Sequence, residues 1–343
     1  MSNNLKIVIP TAGWATRVRP QTWSKPKPLV GVAGRTALDY LLDTFHSVPD
    51  PEMAEYVIIL SPYLGETQIP PYMKEHYPGY KVHYILQSEM RGQSDALWLA
   101  REYLVGPMIM CFSDTLINTD FSFLSNEKAA GVAWFKPVPD PRRFGVVEVD
   151  KDGWATRLIE KPSTLENNRV LVGCYYFREG RELVSAIEEQ MKRRKSLKGE
   201  YFLVDAINIM IERGLKMRTQ AIDIWLDMGT IEALLETNRY LLDHGHDNTK
   251  NIDRKNVSIL PPVFIHESAA VTNSTIGPYA SIGVDCRIAD SRVEDSILEA
   301  GVEVDMAALK GSFIGRQARV QGHSADSTPM VLNIGDNSSV VLK

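Results

Sequence analysis

The sequence has few cysteines, no long apolar run and no excess of positive charge, and each absence argues against a class of protein. Its three cysteines, Cys111, Cys174 and Cys286, stand far apart and in no CxxC spacing. We therefore expect neither a disulfide framework nor a structural zinc site, but buried, reduced thiols in a cytoplasmic protein. No stretch approaches the ~20 apolar residues of a membrane span, so we expect a soluble protein without a membrane partner.

The overall composition is that of a globular protein large enough for two cores. The 343 residues are 44% hydrophobic and 24% charged, which predicts two domains. The formal net charge of -5 argues against a general nucleic-acid binder, because contacts to many phosphates require an overall basic excess. Any basic cluster must therefore be local.

The first two thirds of the chain alternate between two patterns. Apolar runs typical of buried strands occur at 5–10, 56–61, 81–86, 108–113, 130–137 and 170–177. Helical patterns occur at 37–47, 94–104, 181–194, 201–214 and 229–245. Continuous Val and Ile runs separated by helices predict an α/β domain whose mostly parallel sheet is covered on both faces. We place this domain at residues 1–242.

The last third of the chain has a different period. Residues 243–256, "DHGHDNTKNIDRKN", are polar and helix-breaking, and we interpret them as a linker. Beyond them, aliphatic residues recur at six-residue steps, as in Ile276, Ile282 and Ile288, although several steps are five residues long. This hexapeptide repeat predicts a short, left-handed parallel β-helix over 257–343. We expect it to be structural, packing on the first domain or on a sister subunit of a homo-oligomer.

The stretch "IVIPTAGWATRVRP" (7–20) places a small-residue turn and basic side chains directly after the first predicted strand. In α/β sheets, ligands bind beyond the carboxyl ends of the strands, where loops present their amides. Arg17 and Lys27 would concentrate positive charge around a polyphosphate, and the prolines beside Lys27 stiffen its backbone. The alternative is an ordinary turn followed by solvated basic side chains.

The longer segment "AGWATRVRPQTWSKPKPLVGVAG" resembles the GxGTRxxPxTxxxPKPLxPVxG signature of sugar-1-phosphate nucleotidylyltransferases, and in particular the glucose-1-phosphate thymidylyltransferase-like members. Companion segments follow in family order to about residue 242. The resemblance implies a Rossmann-like three-layer domain that joins an NTP to a sugar 1-phosphate with Mg²⁺. It implies nucleotide contacts at Ala12, Gly13, Thr16, Arg17, Gln87 and Gly92.

The companion segments supply the remaining site residues. "MCFSDTL" and "IWLDMGT" resemble the segments that carry the two magnesium-binding aspartates, here Asp114 and Asp227. The segments "RFGVVEVDKDG", "LIEKP" and "ENNRVLVGCYYF" imply sugar-phosphate contacts at Gly145, Glu160, Lys161, Asn168 and Gly173. The catalytic set implied by the resemblance is Arg17, Lys27, Asp114, Lys161 and Asp227. Taken singly, Asp114 is also typical of a turn, and the Glu160 and Lys161 pair of a solvated surface.

The expected reaction needs no general base. The nucleophile is an oxygen of the sugar phosphate, which is already an anion, and no histidine lies in the motif segments. We expect dTTP or UTP and glucose 1-phosphate as substrates. The alternatives are a mannose-1-phosphate guanylyltransferase and a catalytically silent homologue that binds a nucleotide sugar. A third is acyl transfer by the β-helix, with His266 and His323 as the candidate bases.

The chain departs from the family signature at four positions without losing a charged group. Ala15 replaces the second glycine of the phosphate loop, and Gly31 replaces the proline after "PKPLV". Ser113 replaces the glycine before Asp114, and Thr36 stands where proline is common. A Cβ at residue 15 would be unfavourable if the backbone there has positive φ, so we expect these departures to affect the seating of the nucleotide more than the reaction.

Overall fold

The computed structural model of the protein describes residues 4–194, 196, 199–251 and 256–342, and these form two compact units. The first unit contains the residues up to Trp14 together with Leu41–Trp225. The second contains Ala15–Tyr40 together with the chain from Leu226 onward. The boundaries expected from the sequence at 1–242 and 257–343 stay predictions, and residues 252–255 of the predicted linker lie outside the described residues.

The first unit is built on a nine-stranded sheet. Its strands are β1 Lys6–Pro10, β2 Glu55–Leu60, β3 Lys81–Leu86, β4 Met108–Cys111, β5 Gly131–Pro137, β6 Gly145–Val149, β7 Ala155–Glu160, β8 Arg169–Phe177 and β9 Met217–Ala221. They lie in the order β7-β6-β8-β4-β1-β2-β3, with β5 beside β8 and β9 beside β5. Strands β1 to β6 and β9 run in one direction, and β7 and β8 run against them. The predicted α/β fold with a mostly parallel sheet is confirmed.

Six α-helices accompany the strands in the described part of the chain. They are α1 Ala37–Asp43, α2 Leu64–His76, α3 Gln93–Leu99, α4 Gly180–Lys192, α5 Leu203–Glu212 and α6 Ile231–Leu241. The sequence pattern predicts all of them except α2. That helix contains Pro70 and Pro71, which lack an amide hydrogen and normally indicate a break, yet it forms and buries Ile69 and Met73. No helix among the described residues is long and apolar enough to cross a bilayer.

The register of the sheet gathers several strand ends at one edge. Strand β1 pairs in parallel with both β2 and β4, and β2 pairs in parallel with β3. The residues that follow Pro10, Leu86 and Cys111 therefore leave the sheet at the same edge. Strand β8 approaches from the opposite direction, with Cys174 opposite Cys111, so that Gly173 lies beyond the end of β4. This edge is where α/β sheets bind their ligands.

The second unit contains a parallel β-helix made of three stacks of short strands. One stack contains Val257–Ile259, Ser274–Ile276, Arg292–Glu294 and Ala308–Lys310. The next contains Phe264–Ile265, Ser281–Ile282, Ile297–Leu298, Phe313–Ile314 and Asn333–Ile334, and the third contains Ala270–Thr272, Arg287–Ala289, Glu303–Asp305, Arg319–Gln321 and Ser339–Val341. Ile276, Ile282 and Ile288 fall in successive stacks and are buried, which confirms the β-helix inferred from the repeat. Its left-handedness stays a prediction.

The segment Ala15–Tyr40 packs within the second unit, and Asn238 of α6 shows how. Its Oδ1 accepts hydrogen bonds from the backbone N–H of Ala33 (3.0 Å) and from Ser281 Oγ (2.6 Å), while its Nδ2 donates to the carbonyl of Tyr279 (3.0 Å). Gly34 has φ +82°, and a Cβ there would lie 2.3 Å from the ring of Phe264. The part of the signature segment from Ala15 onward therefore belongs structurally with the β-helix.

Candidate active site

Asp114 follows β4 on a turn that β8 braces from beside it. The N–H of Phe112 donates to the carbonyl of Gly173 (3.0 Å), and Thr115 Oγ1 donates to the carbonyl of Val172 (2.8 Å). Gly173 has φ +85°, and a Cβ there would lie 2.4 Å from Phe112 Cδ2. A glycine at 173 is thus required to support the turn, whether or not it also touches a substrate.

Three of the five residues implied for sugar phosphate, Gly145, Glu160 and Lys161, come together at the hairpin of β6 and β7. Glu160 lies opposite Gly145, and a Cβ on Gly145 would be 3.4 Å from Glu160 Oε2. Lys161 Nζ lies 3.6 Å from Glu160 Oε1 and 5.4 Å from the centre of the Phe202 ring. Burial raises the pKa of Glu160; the charge of Lys161 opposes this shift and that of Asp205 adds to it. The arrangement presents a partly buried carboxylate beside an ammonium group.

Asn168 and Trp225 differ in how closely they are tied to the protein. Asn168 is exposed at the start of β8, and its backbone carbonyl accepts a hydrogen bond from the N–H of Val138 (3.0 Å). Trp225 meets Phe144 edge-on, with ring centres 5.1 Å apart, and its buried indole N–H has no hydrogen-bond partner among the described residues. In the sequence, Trp225 is marked only by its position two residues before Asp227. Its buried indole N–H can donate a hydrogen bond to a ligand.

The segment implied for the base is held against the start of α5. Gln87 is buried, and its Nε2 donates to Asp95 Oδ2 (3.1 Å) and to the carbonyl of Gly92 (3.2 Å). Gly92 has φ +99°, and a Cβ there would lie 2.6 Å from backbone atoms of Tyr201. Gln87 and Gly92 are thus brought together. The side-chain amide of Gln87 is fixed by the protein itself, which the sequence could not show.

The turn after β1 is open at Gly13. Ala12 is buried in the core of the first unit, whereas Gly13 is exposed and no heavy atom of the described residues lies within 4 Å of an added Cβ. The glycine at this position is therefore not required by packing. Its missing side chain leaves space that a ligand could use.

In the second unit, Ala15 begins the segment that carries Thr16 and Arg17. Its backbone is left-handed (φ 46°, ψ 41°), so the positive φ considered in the sequence analysis is present. The carbonyl of Ala15 accepts hydrogen bonds from Thr22 Oγ1 (2.9 Å) and from the N–H of Val18 (3.1 Å). These bonds start a single helical turn, Thr16–Val18, on which both Thr16 and Arg17 are exposed.

Arg17 and Asp227 meet around Gly229. A Cβ on Gly229 would lie 2.7 Å from Asp227 Oδ1 and 3.2 Å from Arg17 Nη2. The N–H of Gly229 donates to Asp227 Oδ1 (2.8 Å), and Thr237 Oγ1 donates to the Asp227 carbonyl (3.1 Å). A guanidinium and a carboxylate that are far apart in the sequence are thus placed side by side. Lys27 is half-buried at the start of the short helix Lys27–Leu29, between two prolines.

The acidic residues suit Mg²⁺ better than a metal held entirely by protein. Among residues 4–194, 196, 199–251 and 256–342, no group of three or more His, Cys, Asp or Glu side chains could enclose a metal ion. Mg²⁺ is usually held by one or two carboxylates together with substrate phosphates and water. Asp114 and Asp227 each carry a carboxylate, which is a donor of this type. Taken singly, each fits an ion whose other ligands are phosphate oxygens and water.

Comparisons with known proteins identify the family of the chain. A model of the nucleotidyl transferase family ("Nucleotidyl transferase") matches residues 6–244. The chain is 29% identical to a glucose-1-phosphate thymidylyltransferase of Streptomyces antibioticus, over 99% of this chain and 100% of that one. It is 31% identical to the bifunctional protein GlmU of Methanocaldococcus jannaschii, over 76% of this chain and 60% of that one. A Bacillus anthracis crystal structure, described as a glucose-1-phosphate thymidylyltransferase in complex with sucrose, shares the fold with a TM-score of 0.59 and 20% identity. That match covers 69% of this chain and 94% of the other.

Proposed function

Because the chain belongs to the nucleotidyl transferase family, we propose that it transfers a nucleotidyl group from dTTP or UTP to glucose 1-phosphate. The observation that carries the proposal is the placement of a guanidinium, that of Arg17, beside a carboxylate, that of Asp227, at Gly229. We assign the first to phosphate binding and the second to Mg²⁺. The full-length match to a glucose-1-phosphate thymidylyltransferase supports the choice of substrates.

The proposed reaction exchanges one phosphoanhydride bond for another. A phosphate oxygen of the sugar phosphate attacks the α-phosphorus of the NTP, and the bond from that phosphorus to the α,β-bridging oxygen breaks. Pyrophosphate leaves with the electron pair, and the product is an NDP-sugar. The barrier is set by bringing anions together and by the charge that develops on the bridging oxygen.

Each cationic side chain has a separate task in this proposal. Arg17 binds the β- and γ-phosphates, Lys27 the α-phosphate or the incoming phosphate, and Lys161 the sugar phosphate. Asp114 and Asp227 would hold Mg²⁺, which supplies further neutralisation of phosphate charge when bound. Ala12, Gly13 and Thr16 form the turn around the triphosphate, and Gln87 and Gly92 face the base.

Hydroxyl groups of the sugar are assigned to the sheet edge of the first unit. The carboxylate of Glu160 accepts hydrogen bonds from them, and the unpartnered indole N–H of Trp225 donates one. Gly145 and Gly173 have no side chains and so leave this region open. Asn168, at the start of β8, is assigned a further contact to the sugar phosphate.

The test is a matrix of dTTP, UTP, GTP, ATP and CTP against glucose, mannose and N-acetylglucosamine 1-phosphates, with Mg²⁺ and with pyrophosphate release as readout. We expect the fastest release with dTTP or UTP and glucose 1-phosphate. Preference for GTP and mannose 1-phosphate would replace this substrate pair with the guanylyltransferase alternative. Binding of a nucleotide sugar without any release would favour the silent homologue.

Gly13→Ala should impair nucleotide binding without destabilising the protein. The added methyl group meets no protein atom, so the free energy of unfolding should change by less than about 1 kcal/mol. We expect the KM for the NTP to rise at least about tenfold, because small displacements of a reacting phosphate are costly. Gly79→Ala is a matched control, since a Cβ at Gly79 also meets nothing within 4 Å. Equal NTP affinity in the two variants would contradict the role given to Gly13.

The raised pKa of Glu160 gives sugar-phosphate binding a pH dependence. A carboxyl group with a raised pKa takes up its proton at a higher pH than an ordinary glutamate, and it then no longer accepts two hydroxyl hydrogen bonds. The KM for glucose 1-phosphate should therefore rise as the pH falls through this raised pKa. In Glu160→Gln, the KM should be high and flat over the same range. A wild-type KM that rises only in the ordinary carboxyl range would contradict the assignment.

The acyl-transfer alternative gains no support from the histidines of the β-helix. His266 Nδ1 is engaged within its own turn, by Ser268 Oγ (2.8 Å) and by the N–H of Ser268 (3.2 Å). His323 is exposed in the loop after Arg319–Gln321. We retain the nucleotidyl transfer as the single proposed activity.

We further propose a cytoplasmic homo-oligomer that uses the end of the β-helix. Val331 and Val341, in the last part of the chain, are 74% and 63% exposed, and they offer apolar side chains to a second copy of the chain. Light scattering of the full chain tests this, because Val341→Asp should reduce the molar mass of an oligomer formed through this end.

A further inference from the structure

Lys25 is a fully buried lysine in the signature segment that the proposed reaction does not use. Its side chain is 0% exposed, and its Nζ contacts Glu299 Oε2 and, at 2.9 Å, Asp336 Oδ1. Both carboxylates are also buried, with side chains 4% and 8% exposed. Three ionised groups away from water are costly unless their hydrogen bonds are complete.

Every carboxylate oxygen of this cluster accepts at least one hydrogen bond. Glu299 Oε1 accepts from the N–H of Gly31 (2.9 Å), and Asp336 Oδ1 accepts also from the N–H of Arg316 (2.8 Å). Asp336 Oδ2 accepts from Ser24 Oγ (2.6 Å). Burial alone would raise the pKa of Asp336, but the hydrogen bonds from Ser24 and Lys25 outweigh it and leave the pKa lowered, so that this carboxyl is ionised at neutral pH.

Stability alone is a poor explanation for such a cluster. A buried ion pair is often no more stabilising than apolar side chains of similar volume, and a better attested benefit is that it fixes one geometry. The two carboxylates follow strands of the same stack, Ile297–Leu298 and Asn333–Ile334. Ser24, Lys25 and Gly31 together supply donors to both of them.

Residues of the cluster lie on both sides of Lys27 in the sequence. Lys25 is anchored two residues before it, and Gly31 four residues after it. Between them, Pro26 and Pro28 fix their own φ angles, and the carbonyl of Leu29 accepts from Arg316 Nη2 (3.1 Å). Lys27 therefore has little backbone freedom once Lys25 is fixed.

The anchoring extends back toward Arg17. Gln21 Nε2 donates to Asn333 Oδ1 (3.0 Å) and to the carbonyl of Ile334 (2.9 Å). The carbonyl of Arg19 accepts from Asn333 Nδ2 (3.3 Å). The β-helix thus holds residues between Arg17 and Lys27 as well as residues just after Lys27.

We propose that Lys25 is a positioning residue: paired with Glu299 and Asp336, it makes the β-helix the support that holds Lys27 and Arg17 in place for nucleotidyl transfer. This inference rests on the proposed function, because the residues it positions are those assigned to the phosphates. It gives the β-helix a task in the reaction beyond that of a structural appendage.

The test compares variants that keep the fold and change the cluster. Lys25→Met alone leaves two buried carboxylates unpaired and can unfold the protein, so it is combined with Glu299→Gln and Asp336→Asn, which keep the acceptors for Gly31 and Arg316. Asp336→Asn alone is a milder variant that leaves one lysine and one carboxylate. The matched control is Arg239→Met, which removes another ion pair to the β-helix, with Asp295 (2.6 Å), away from the signature segment.

We expect the triple variant to lower kcat for pyrophosphate release at least about tenfold, because a misplaced catalytic group is costly. Its thermal midpoint should stay close to that of Arg239→Met, and Asp336→Asn should give a smaller loss of kcat. Amide hydrogen exchange of residues 24–31 should accelerate in the triple variant and not in Arg239→Met. A folded triple variant with wild-type kcat and wild-type exchange at 24–31 would overturn the proposal.

The exchange measurement separates this inference from the proposed function. If the wild-type protein releases no pyrophosphate with any substrate pair, the proposed function fails, and exchange at 24–31 still decides whether Lys25 positions the segment. If the triple variant does not fold, Asp336→Asn supplies the same comparison. Unchanged exchange and unchanged kcat in that variant would then count against the inference.

Discussion

Asp227→Asn should lower kcat for pyrophosphate release about a hundredfold or more, which corresponds to roughly 3 kcal/mol of transition-state stabilisation. The substitution removes the charge that would bind Mg²⁺. It keeps an oxygen that can accept the hydrogen bond from the N–H of Gly229, which is 2.8 Å long in the wild type. The local turn should therefore survive, and the thermal midpoint should stay near the wild-type value. Steady-state release assays over a range of Mg²⁺ concentrations measure both kcat and the metal requirement.

The matched control for Asp227 is Asp223→Asn. Asp223 is exposed four residues earlier, and its loss changes the net charge of the chain by the same amount. We expect wild-type kcat and wild-type Mg²⁺ dependence from the control. If Asp227→Asn kept its activity at every Mg²⁺ concentration, Asp227 would have to be removed from the metal ligands.

Arg17→Met should reduce kcat/KM for the NTP about a hundredfold, because a charge-assisted contact to the β- and γ-phosphates is lost. Arg17 is exposed on a single helical turn and beside Gly229, so the loss of its guanidinium should have little effect on packing. The KM for glucose 1-phosphate should change much less, since that substrate is assigned to Glu160 and Lys161. Initial rates with each substrate varied in turn measure the two effects separately.

Arg19→Met is the control for Arg17. Arg19 is also exposed, lies two residues further along, and is tied to the β-helix through its backbone carbonyl, which the substitution leaves in place. Its kcat/KM should match the wild type. Equal losses in the two variants would indicate a general effect of positive charge in this segment, and the specific assignment of Arg17 to the phosphates would be wrong.

Local patterns predict the sheet and the β-helix because each depends on the spacing of aliphatic residues. The run from Ile7 to Ile9 is buried on both faces of the sheet, and the steps from Ile276 to Ile288 follow the three stacks of the β-helix. The same reasoning does not predict helix α2, because Pro70 and Pro71 lower its helical propensity; burial of Ile69 and Met73 and a capping box at Tyr63 and Glu66 compensate for them.

In the candidate site, features that depend on nearby residues can be predicted from the sequence, and contacts between distant residues cannot. The sequence shows that Ala15 replaces a glycine, but only the structure shows that the backbone of Ala15 has a positive φ. The contacts of Lys25 are the hardest to predict from the sequence. Its partners Glu299 and Asp336 lie 274 and 311 residues away, so nothing near Lys25 distinguishes it from a solvated surface lysine. The contacts of Trp225 and Gln87 are likewise products of tertiary structure.

The interleaved path of the chain restricts how relatives of this protein can exchange parts. Since Ala15–Tyr40 belongs with the chain from Leu226 onward, no single recombination breakpoint transfers one compact unit intact. A crossover near residue 242 would join the signature segment to a β-helix from another protein. Lys25 would then be buried without the carboxylates of Glu299 and Asp336 that pair with it here. Chimeras should therefore inherit residues 15–40 together with the β-helix, and sequence variation in these two regions should be correlated across any lineage that carries both.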